Sequence, residues 1–155
     1  MEKSIKAGSQ PSFMEEFITG TGRRAALTPE EVRSYSPLSF AYIGDAVYEL
    51  VIRTAIVSRC NTKPDRYHHE TIRYVNAAAQ AELMKKITPL LTQAELVYYR
   101  RGLNARPATT AKNQSRRDYR YATALEVLTG YLYLTGQTER IITLISRGLE
   151  SGRDI

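Results

Sequence analysis

Two acidic residues stand alone in otherwise uncharged helical stretches of this chain. Asp45 lies in the segment 38–48 (LSFAYIGDAVY), and Glu126 lies in the segment 122–134 (ATALEVLTGYLYL). A carboxylate placed against an apolar helix face is costly unless a cation or hydrogen bonds compensate it. Mg2+ prefers carboxylate oxygens and keeps several waters, so one or two protein acids and substrate phosphates can hold it. Two such acids from distant parts of the chain are therefore a candidate metal site.

Ordinary ion pairing is an alternative explanation for the same acids. Asp45 can pair with an arginine of a neighbouring helix, and Glu49, one turn further on, can pair with Arg53. A buried salt bridge would likewise explain the lone Glu126. Gly44, beside Asp45, removes a side chain and lets another helix or a phosphate come close. The residues alone leave metal binding and ion pairing open.

A cluster of basic residues precedes the Glu126 stretch. Residues 100–120, which we call the basic segment, hold seven of the chain's 22 Lys and Arg residues against one acid, Asp118. Interleaved Asn, Thr, Gln and Ser side chains are neutral donors suited to phosphate and ribose hydroxyls. Such a run is often only a solvated loop, but its position just before Glu126 favours binding to the backbone of a nucleic-acid duplex.

Composition limits the class of protein. The length of 155 residues predicts one domain, and the net charge of +6 favours a polyanionic partner. A single cysteine, Cys60, excludes an internal disulfide and fits a reducing cytoplasm. No stretch approaches the roughly 18 apolar residues of a membrane span, and the N-terminus lacks the apolar run of a signal peptide. A cytoplasmic protein with no membrane role is expected.

Capping signals predict the elements that position these residues. Thr28, Ser36 and Thr92 each begin a cap-and-helix pattern, and Glu31 and Glu95 complete capping boxes with the two threonines. No segment alternates as a strand would. The predicted helices, besides one starting at Thr28, are 37–58, 65–75, 76–84 (continuing or restarting the preceding one), 92–102, 119–134 (closed by Gly136) and a last one capped by Thr138 and ending near Glu150. Residues 104–117 are predicted as a loop. The prediction is an all-α domain over residues 28–155, preceded by a flexible extension over residues 1–27 with one short turn near Phe13.

Two further groups are assigned mainly structural roles. His68 and His69 follow a turn, where a capping or surface role is favoured over that of a general base. Most of the 11 tyrosines fall at helical spacings, which indicates core-edge or dimer-interface positions rather than chemistry.

Several of these segments resemble the ribonuclease III family. The segment 41–49 (AYIGDAVYE) is similar to the signature helix of its catalytic domains, and 119–134 (YRYATALEVLTGYLYL) to their second metal-binding helix. The segments 62–64 (TKP), 101–105 (RGLNA) and 109–113 (TTAKN) resemble the short form, Mini-ribonuclease III, which lacks a double-stranded-RNA-binding domain. The resemblance covers about residues 36–150.

The resemblance implies an all-helical homodimer that cleaves double-stranded RNA with Mg2+ and leaves 5′-phosphate ends. It also implies maturation of large-subunit (23S) ribosomal RNA precursors, in contact with the pre-ribosome or a ribosomal protein. Asp45 falls on the catalytic, metal-binding aspartate and Glu126 on the metal-binding glutamate. The residues expected to contact RNA are Arg100, Arg101, Asn104, Arg106, Lys112, Asn113, Arg116, Arg117 and Arg120.

Three departures from the family pattern qualify this expectation. Ala41 and Thr123 stand where full-length ribonuclease III enzymes carry two more acids, and the short form also lacks them. Leu103 stands where the short form often has arginine, which removes one expected RNA contact.

Two alternative functions remain open on the same fold. One is a non-catalytic RNA-binding or ribosome-associated protein, and the other is a helical dimer with no RNA role.

Overall fold

The computed structural model describes residues 26–105 and 115–149. These residues form seven α-helices and one short 3-10 turn, with no strand among them. The helices are α1 (Pro29–Ser34), α2 (Pro37–Val57), α3 (Pro64–Val75), α4 (Ala77–Ile87), α5 (Gln93–Leu103), α6 (Arg116–Leu134) and α7 (Thr138–Leu149), with the 3-10 turn at Thr88–Leu90. The predicted all-α fold is confirmed.

The predicted caps begin three of these helices. The Thr28 hydroxyl accepts the backbone N–H of Glu31, whose carboxylate accepts the Thr28 N–H at 2.8 Å. Thr92 and Glu95 repeat the same reciprocal pair at the start of α5. At the start of α2 the Ser36 hydroxyl accepts the N–H of Leu38 at 3.2 Å. Local sequence therefore fixes where these helices start.

Helix α6 begins earlier than predicted. The Ser115 hydroxyl accepts the N–H of Asp118 at 3.0 Å, so Ser115 is the N-cap and Arg116 and Arg117 lie in the first turn. The predicted loop through residue 117 is wrong at these two positions, because a serine cap and an acid in the first turn outweigh the charge of the arginines.

The junction between α6 and α7 also differs by one residue from the prediction. Gly136 takes a φ of 76°, and its N–H and that of Gln137 donate to the carbonyls of Tyr133 (3.2 Å) and Leu132 (2.8 Å). This is a Schellman motif, which ends α6 as Gly136 predicted. Because the turn brings Gln137 to the start of α7, Thr138 lies inside the helix and does not cap it.

The residues outside the described ranges include several predicted features. They are residues 1–25 of the predicted extension 1–27 with its turn near Phe13, residues 106–114 of the basic segment, and residues 150–155. The described part begins at Ala26, and the Leu27 N–H donates to the Leu134 carbonyl at 2.8 Å. No helix within the described ranges is long and apolar enough to cross a membrane.

Helix α6 is the centre of the core. Eleven of its nineteen residues are buried, and it packs against α2, α4, α5 and α7. Two glycines bring α2 and α6 into backbone contact. A Cβ built on Gly44 would lie 1.8 Å from the Glu126 carbonyl oxygen, and one on Gly130 would lie 2.0 Å from the Phe40 carbonyl oxygen. Only glycine fits at this crossing, so Asp45 is held beside the turn of α6 that carries Glu126.

A second contact joins α5, the 3-10 turn and α7. Arg140 of α7 donates to both carboxylate oxygens of Glu95 in α5, at 2.8 and 3.1 Å. It also donates to the carbonyl of Leu90 in the 3-10 turn at 2.8 Å. Glu95 was predicted only as a capping-box acid, and its ion pair was not anticipated from the sequence.

Candidate functional site

The candidate site is the carboxylate pair, by which we mean Asp45 and Glu126. Asp45 is exposed on α2, whereas Glu126 is partly buried on α6. The Gly44 contact with the Glu126 backbone places them on neighbouring turns of the two crossing helices. The two lone acids of the sequence are therefore brought together, as the metal-site interpretation requires.

The electrostatics of the pair are those of uncompensated acids. Burial, and secondly the nearby charge of Asp45, raises the pKa of Glu126 to about 7. Burial and then the charge of Glu49 raise the pKa of Asp45 as well. Within residues 26–105 and 115–149, neither carboxylate accepts a hydrogen bond or joins a salt bridge. The predicted pairing of Glu49 with Arg53 is present, with Nε to Oε1 at 2.7 Å. Ion pairing thus explains Glu49 but not the carboxylate pair.

The donor set fits a hard divalent cation. Two carboxylates with raised pKa values are oxygen ligands that a bound cation would stabilise in the ionised form. The buried neighbours Ala41 and Thr123 add no third acid. Across the described residues, no cluster of three or more His, Cys, Asp or Glu side chains could hold a metal ion. Asp45 and Glu126 would leave most positions around a cation to water and substrate phosphate.

Three arginines of the basic segment are exposed to solvent. Arg100, Arg116 and Arg117 are exposed, and none of them forms an ion pair within the described chain. Glu126 follows Arg117 by nine residues on α6, a distance of about 14 Å along the helix. Arg116 and Arg117 therefore lie in the first turn of the helix that also carries Glu126.

Two other arginines of the basic segment have partners inside the protein. Arg101 donates to the carbonyl of Tyr35 at 2.5 Å, and Arg120 Nε donates to the carbonyl of Leu103 at 2.9 Å. Arg120 also lines an open pocket of about 420 Å³ with Leu103, Asn104 and Ala105. The predicted contact residues Arg106, Lys112 and Asn113 lie outside the described residues.

The remaining candidates have simpler roles. His68 is exposed, and Nδ1 of the exposed His69 donates to the Asp65 carbonyl of the same helix at 2.7 Å. Tyr98 stacks on Tyr131 with ring centres 3.8 Å apart, a core-edge position of the kind predicted for the tyrosines. No pattern in the sequence singled out Tyr42, which is 85% exposed on α2 three residues before Asp45.

Comparisons with known proteins show which family the chain is similar to. Residues 38–137 match the model of the ribonuclease III domain family. The chain is 48% identical over 124 residues to a Mini-ribonuclease 3 of Thermoanaerobacter sp. strain X514, covering 80% of this chain and 87% of that protein. It is 45% identical to the Mini-ribonuclease 3 of Enterococcus faecalis, covering 75% and 89%. The crystal structure of protein FN1578 from Fusobacterium nucleatum is similar with a TM-score of 0.72 and 29% identity, covering 79% and 98%.

Proposed function

The chain belongs to the ribonuclease III family of endoribonucleases, and on that premise we propose that it cleaves double-stranded RNA with Mg2+ held by Asp45 and Glu126. Members of the family act on double-stranded RNA and generally depend on a divalent metal. The observation that carries the proposal is the pair of uncompensated carboxylates at the crossing of α2 and α6.

Each acid has a distinct part in this mechanism. Glu126 lies on the central helix, fixed by the packing around it, and offers one oxygen ligand in a defined direction. Asp45 is exposed, so its carboxylate faces the substrate and orients the attacking water toward the scissile phosphate. When bound, Mg2+ supplies charge neutralisation at that phosphate and lowers the pKa of water. Attack of water on the phosphorus with cleavage of the P–O3′ bond leaves a 5′-phosphate on one product and a 3′-hydroxyl on the other.

The RNA is held by its backbone rather than by its bases. Arg100, Arg116 and Arg117 are exposed cations suited to phosphate contacts, and Asn104 is an exposed amide suited to a ribose hydroxyl. A-form duplexes are recognised through such contacts across the minor groove. We extend the proposal to Arg106, Lys112, Asn113 and Arg120 on the strength of their place in the basic segment.

A homodimer completes the proposal. Tyr42 is 85% exposed next to Asp45, and Leu38 and Leu50 of the same helix are 38% and 50% exposed. An apolar face of this kind supports burial against a second copy of the chain. A two-fold axis near α2 would set one carboxylate pair against each strand of a duplex. Sedimentation of the wild type and of Tyr42→Lys tests this, since only the wild type is expected to dimerise.

The substrate we propose is precursor large-subunit (23S) ribosomal RNA in the cytoplasm, bound as part of a pre-ribosome or with a ribosomal protein. The names of its relatives and the basic segment support an RNA-processing role. Mapping of cleavage ends on total precursor RNA tests the assignment. Ends that fall outside the large-subunit precursor would contradict it without affecting the proposed chemistry.

The activity itself is tested with Asp45→Asn and a structured RNA duplex. The wild type is expected to cleave with Mg2+ and to stop when the metal is chelated, whereas Asp45→Asn loses at least about 100-fold in rate. Asp65→Asn is the matched control, because Asp65 is exposed on α3 and makes no side-chain ion pair with the described residues. Equal cleavage by wild type and Asp45→Asn would contradict the role of Asp45. Salt-sensitive binding without any cleavage would favour the non-catalytic alternative.

A further inference from the structure

Arg101 makes a set of contacts that a phosphate-binding arginine does not need. One Nη atom donates to the carbonyl of Tyr35 at 2.5 Å. The guanidinium carbon lies 5.2 Å from the centre of the Tyr98 ring and 5.9 Å from that of Phe40. Tyr35 is the residue at which α1 ends, so its carbonyl has no helical partner. Arg101 supplies that partner and stacks its charge against two rings.

Phe40, which Arg101 contacts, lies on α2 and connects Arg101 to the carboxylate pair. Phe40 is fully buried, and its ring lies 6.0 Å from that of Tyr35. The Phe40 carbonyl is the atom that Gly130 of α6 approaches, one turn before Gly44 meets Glu126. A shift of Phe40 would therefore displace the crossing of α2 and α6. Since Asp45 follows Gly44 directly, the same shift would change its distance from Glu126.

We propose that Arg101 is a positioning residue: it fastens the start of α2 to α5 and thereby fixes the spacing of Asp45 and Glu126. The sequence alone assigned Arg101 to RNA contact, and the two roles differ in what they require of the side chain. A phosphate contact needs only a positive charge. The contacts to Tyr35, Tyr98 and Phe40 need a planar fork that donates along its edge while its face stacks on rings, which lysine lacks.

The inference rests on the proposed function and is tested by Arg101→Lys, which keeps the charge. We expect kcat on a defined RNA duplex to fall about 10-fold, because small displacements of reacting groups have large effects on rate. KM and the salt dependence of RNA affinity should stay at wild-type values. A phosphate-contact role predicts instead that kcat is unchanged. It also predicts that Arg101→Gln lowers the salt slope by about one.

Arg33→Lys is the matched control. Arg33 is exposed on α1, two residues before Tyr35, and its ion pair with Glu30 is of the surface kind. The same substitution there should leave kcat and KM unchanged. All assays are run below the melting temperature of each variant, measured by circular dichroism.

Hydrogen exchange without RNA gives a second, activity-independent measurement. In Arg101→Lys, the amides of residues 41–45 should exchange about 10-fold faster than in the wild type, and those of α7 should not change. Unchanged exchange together with wild-type kcat would overturn the positioning role while leaving the proposed function intact. If the wild type itself fails to cleave duplex RNA, the proposed function fails, and the exchange of residues 41–45 still decides whether Arg101 holds α2.

Discussion

Two glutamates in this molecule occupy opposite electrostatic situations. Glu95 is only 3% exposed and accepts hydrogen bonds from Arg140 and from the Thr92 N–H. Burial alone would raise the pKa of Glu95, but these bonds outweigh it and lower the pKa below its usual value. Glu126 is less buried, yet it has no such partner in the described chain, and its pKa rises to about 7.

The difference separates a structural acid from a functional one. A buried carboxylate that is bonded to a cation and to a cap N–H is stable as an ion. Removing that carboxylate leaves the cation without its counter-charge, which destabilises the fold. An uncompensated carboxylate destabilises the fold in its ionised form. Natural proteins retain such costs mainly at sites of function. Here the uncompensated acid is Glu126, and the compensated acid is Glu95.

The substitution with the largest expected effect is Glu126→Gln. If Glu126 holds the metal, the substitution should lower the rate of duplex cleavage at least about 100-fold. It should also abolish the rise in melting temperature that Mg2+ gives the wild type, because binding to the native state alone is stabilising. Glu82→Gln is the control, since Glu82 is exposed and its ion pair with Lys85 is of the surface kind. A Glu126→Gln variant that cleaves at the wild-type rate would remove the functional side of the comparison.

The converse substitution is Glu95→Ala. Because it strands Arg140 and removes the reciprocal cap of Thr92, we expect the free energy of unfolding to fall by about 3 kcal/mol. The rate of cleavage by the folded protein should not change, because Glu95 is not among the charges that shift the pKa of Asp45 or Glu126. Urea denaturation and initial rates at low temperature measure the two effects. A large loss of rate without a loss of stability would reverse the roles assigned to the two acids.

Glu126 and Glu95 should also contribute to stability with opposite dependence on pH. The pKa of Glu126 is about 7 when folded and near 4.5 when unfolded, so the folded state binds the extra proton between these values. The free energy of unfolding should therefore fall by about 2 kcal/mol from this group as pH rises from 5 to 8. Glu95 has a lowered pKa, so its contribution is present above pH 4.5 and is lost as pH falls further.

Urea denaturation at pH 5, 6, 7 and 8 with a chelator present measures the Glu126 component. The decline with pH should be absent in Glu126→Gln, which should be more stable than the wild type at pH 8. If the free energy of unfolding changed with pH in the same way in both proteins, the pKa of Glu126 would not be raised in the folded state. The contrast between Glu126 and Glu95 would then be wrong.

Local signals in the sequence predicted most of the fold. The capping boxes at Thr28 and Thr92 and the glycine stop at Gly136 act through neighbouring residues, so they can be identified without a structure. The start of α6 was missed because the cap at Ser115 lies within a charged run that was interpreted as a loop.

The candidate site was predicted only in part, because its chemistry depends on contacts between distant residues. Two lone acids in apolar helices indicated Asp45 and Glu126. Nothing in the sequence distinguishes Glu95, whose partner lies 45 residues away, as the acid that is ion-paired. For the same reason the sequence did not reveal that Arg101 and Arg120 donate to carbonyls within the protein.

Substitutions of three arginines have the smallest expected effects, and they test the contrast between Glu95 and Glu126 most specifically. Arg140 is committed to Glu95, whereas Arg116 and Arg117 are exposed at the start of α6 without an ion pair in the described chain. The double variant Arg116→Gln and Arg117→Gln should weaken RNA affinity about fivefold at moderate salt. It should also lower the salt slope by about one for each RNA phosphate that the variant no longer neutralises.

Arg140→Gln should do the reverse, lowering the free energy of unfolding while leaving the salt slope of RNA binding at its wild-type value. Titration of a fluorescent RNA duplex at several salt concentrations, beside urea denaturation of each variant, measures both quantities. Unchanged RNA affinity in the double variant would favour a helical dimer without an RNA role at this surface. If both variants changed the same quantity, the assignment of Arg140 to stability and of Arg116 and Arg117 to RNA binding would be wrong. Because Arg140 differs from Arg116 and Arg117 in its partners but not in the charge of its side chain, any difference between the variants reports where each cation is used.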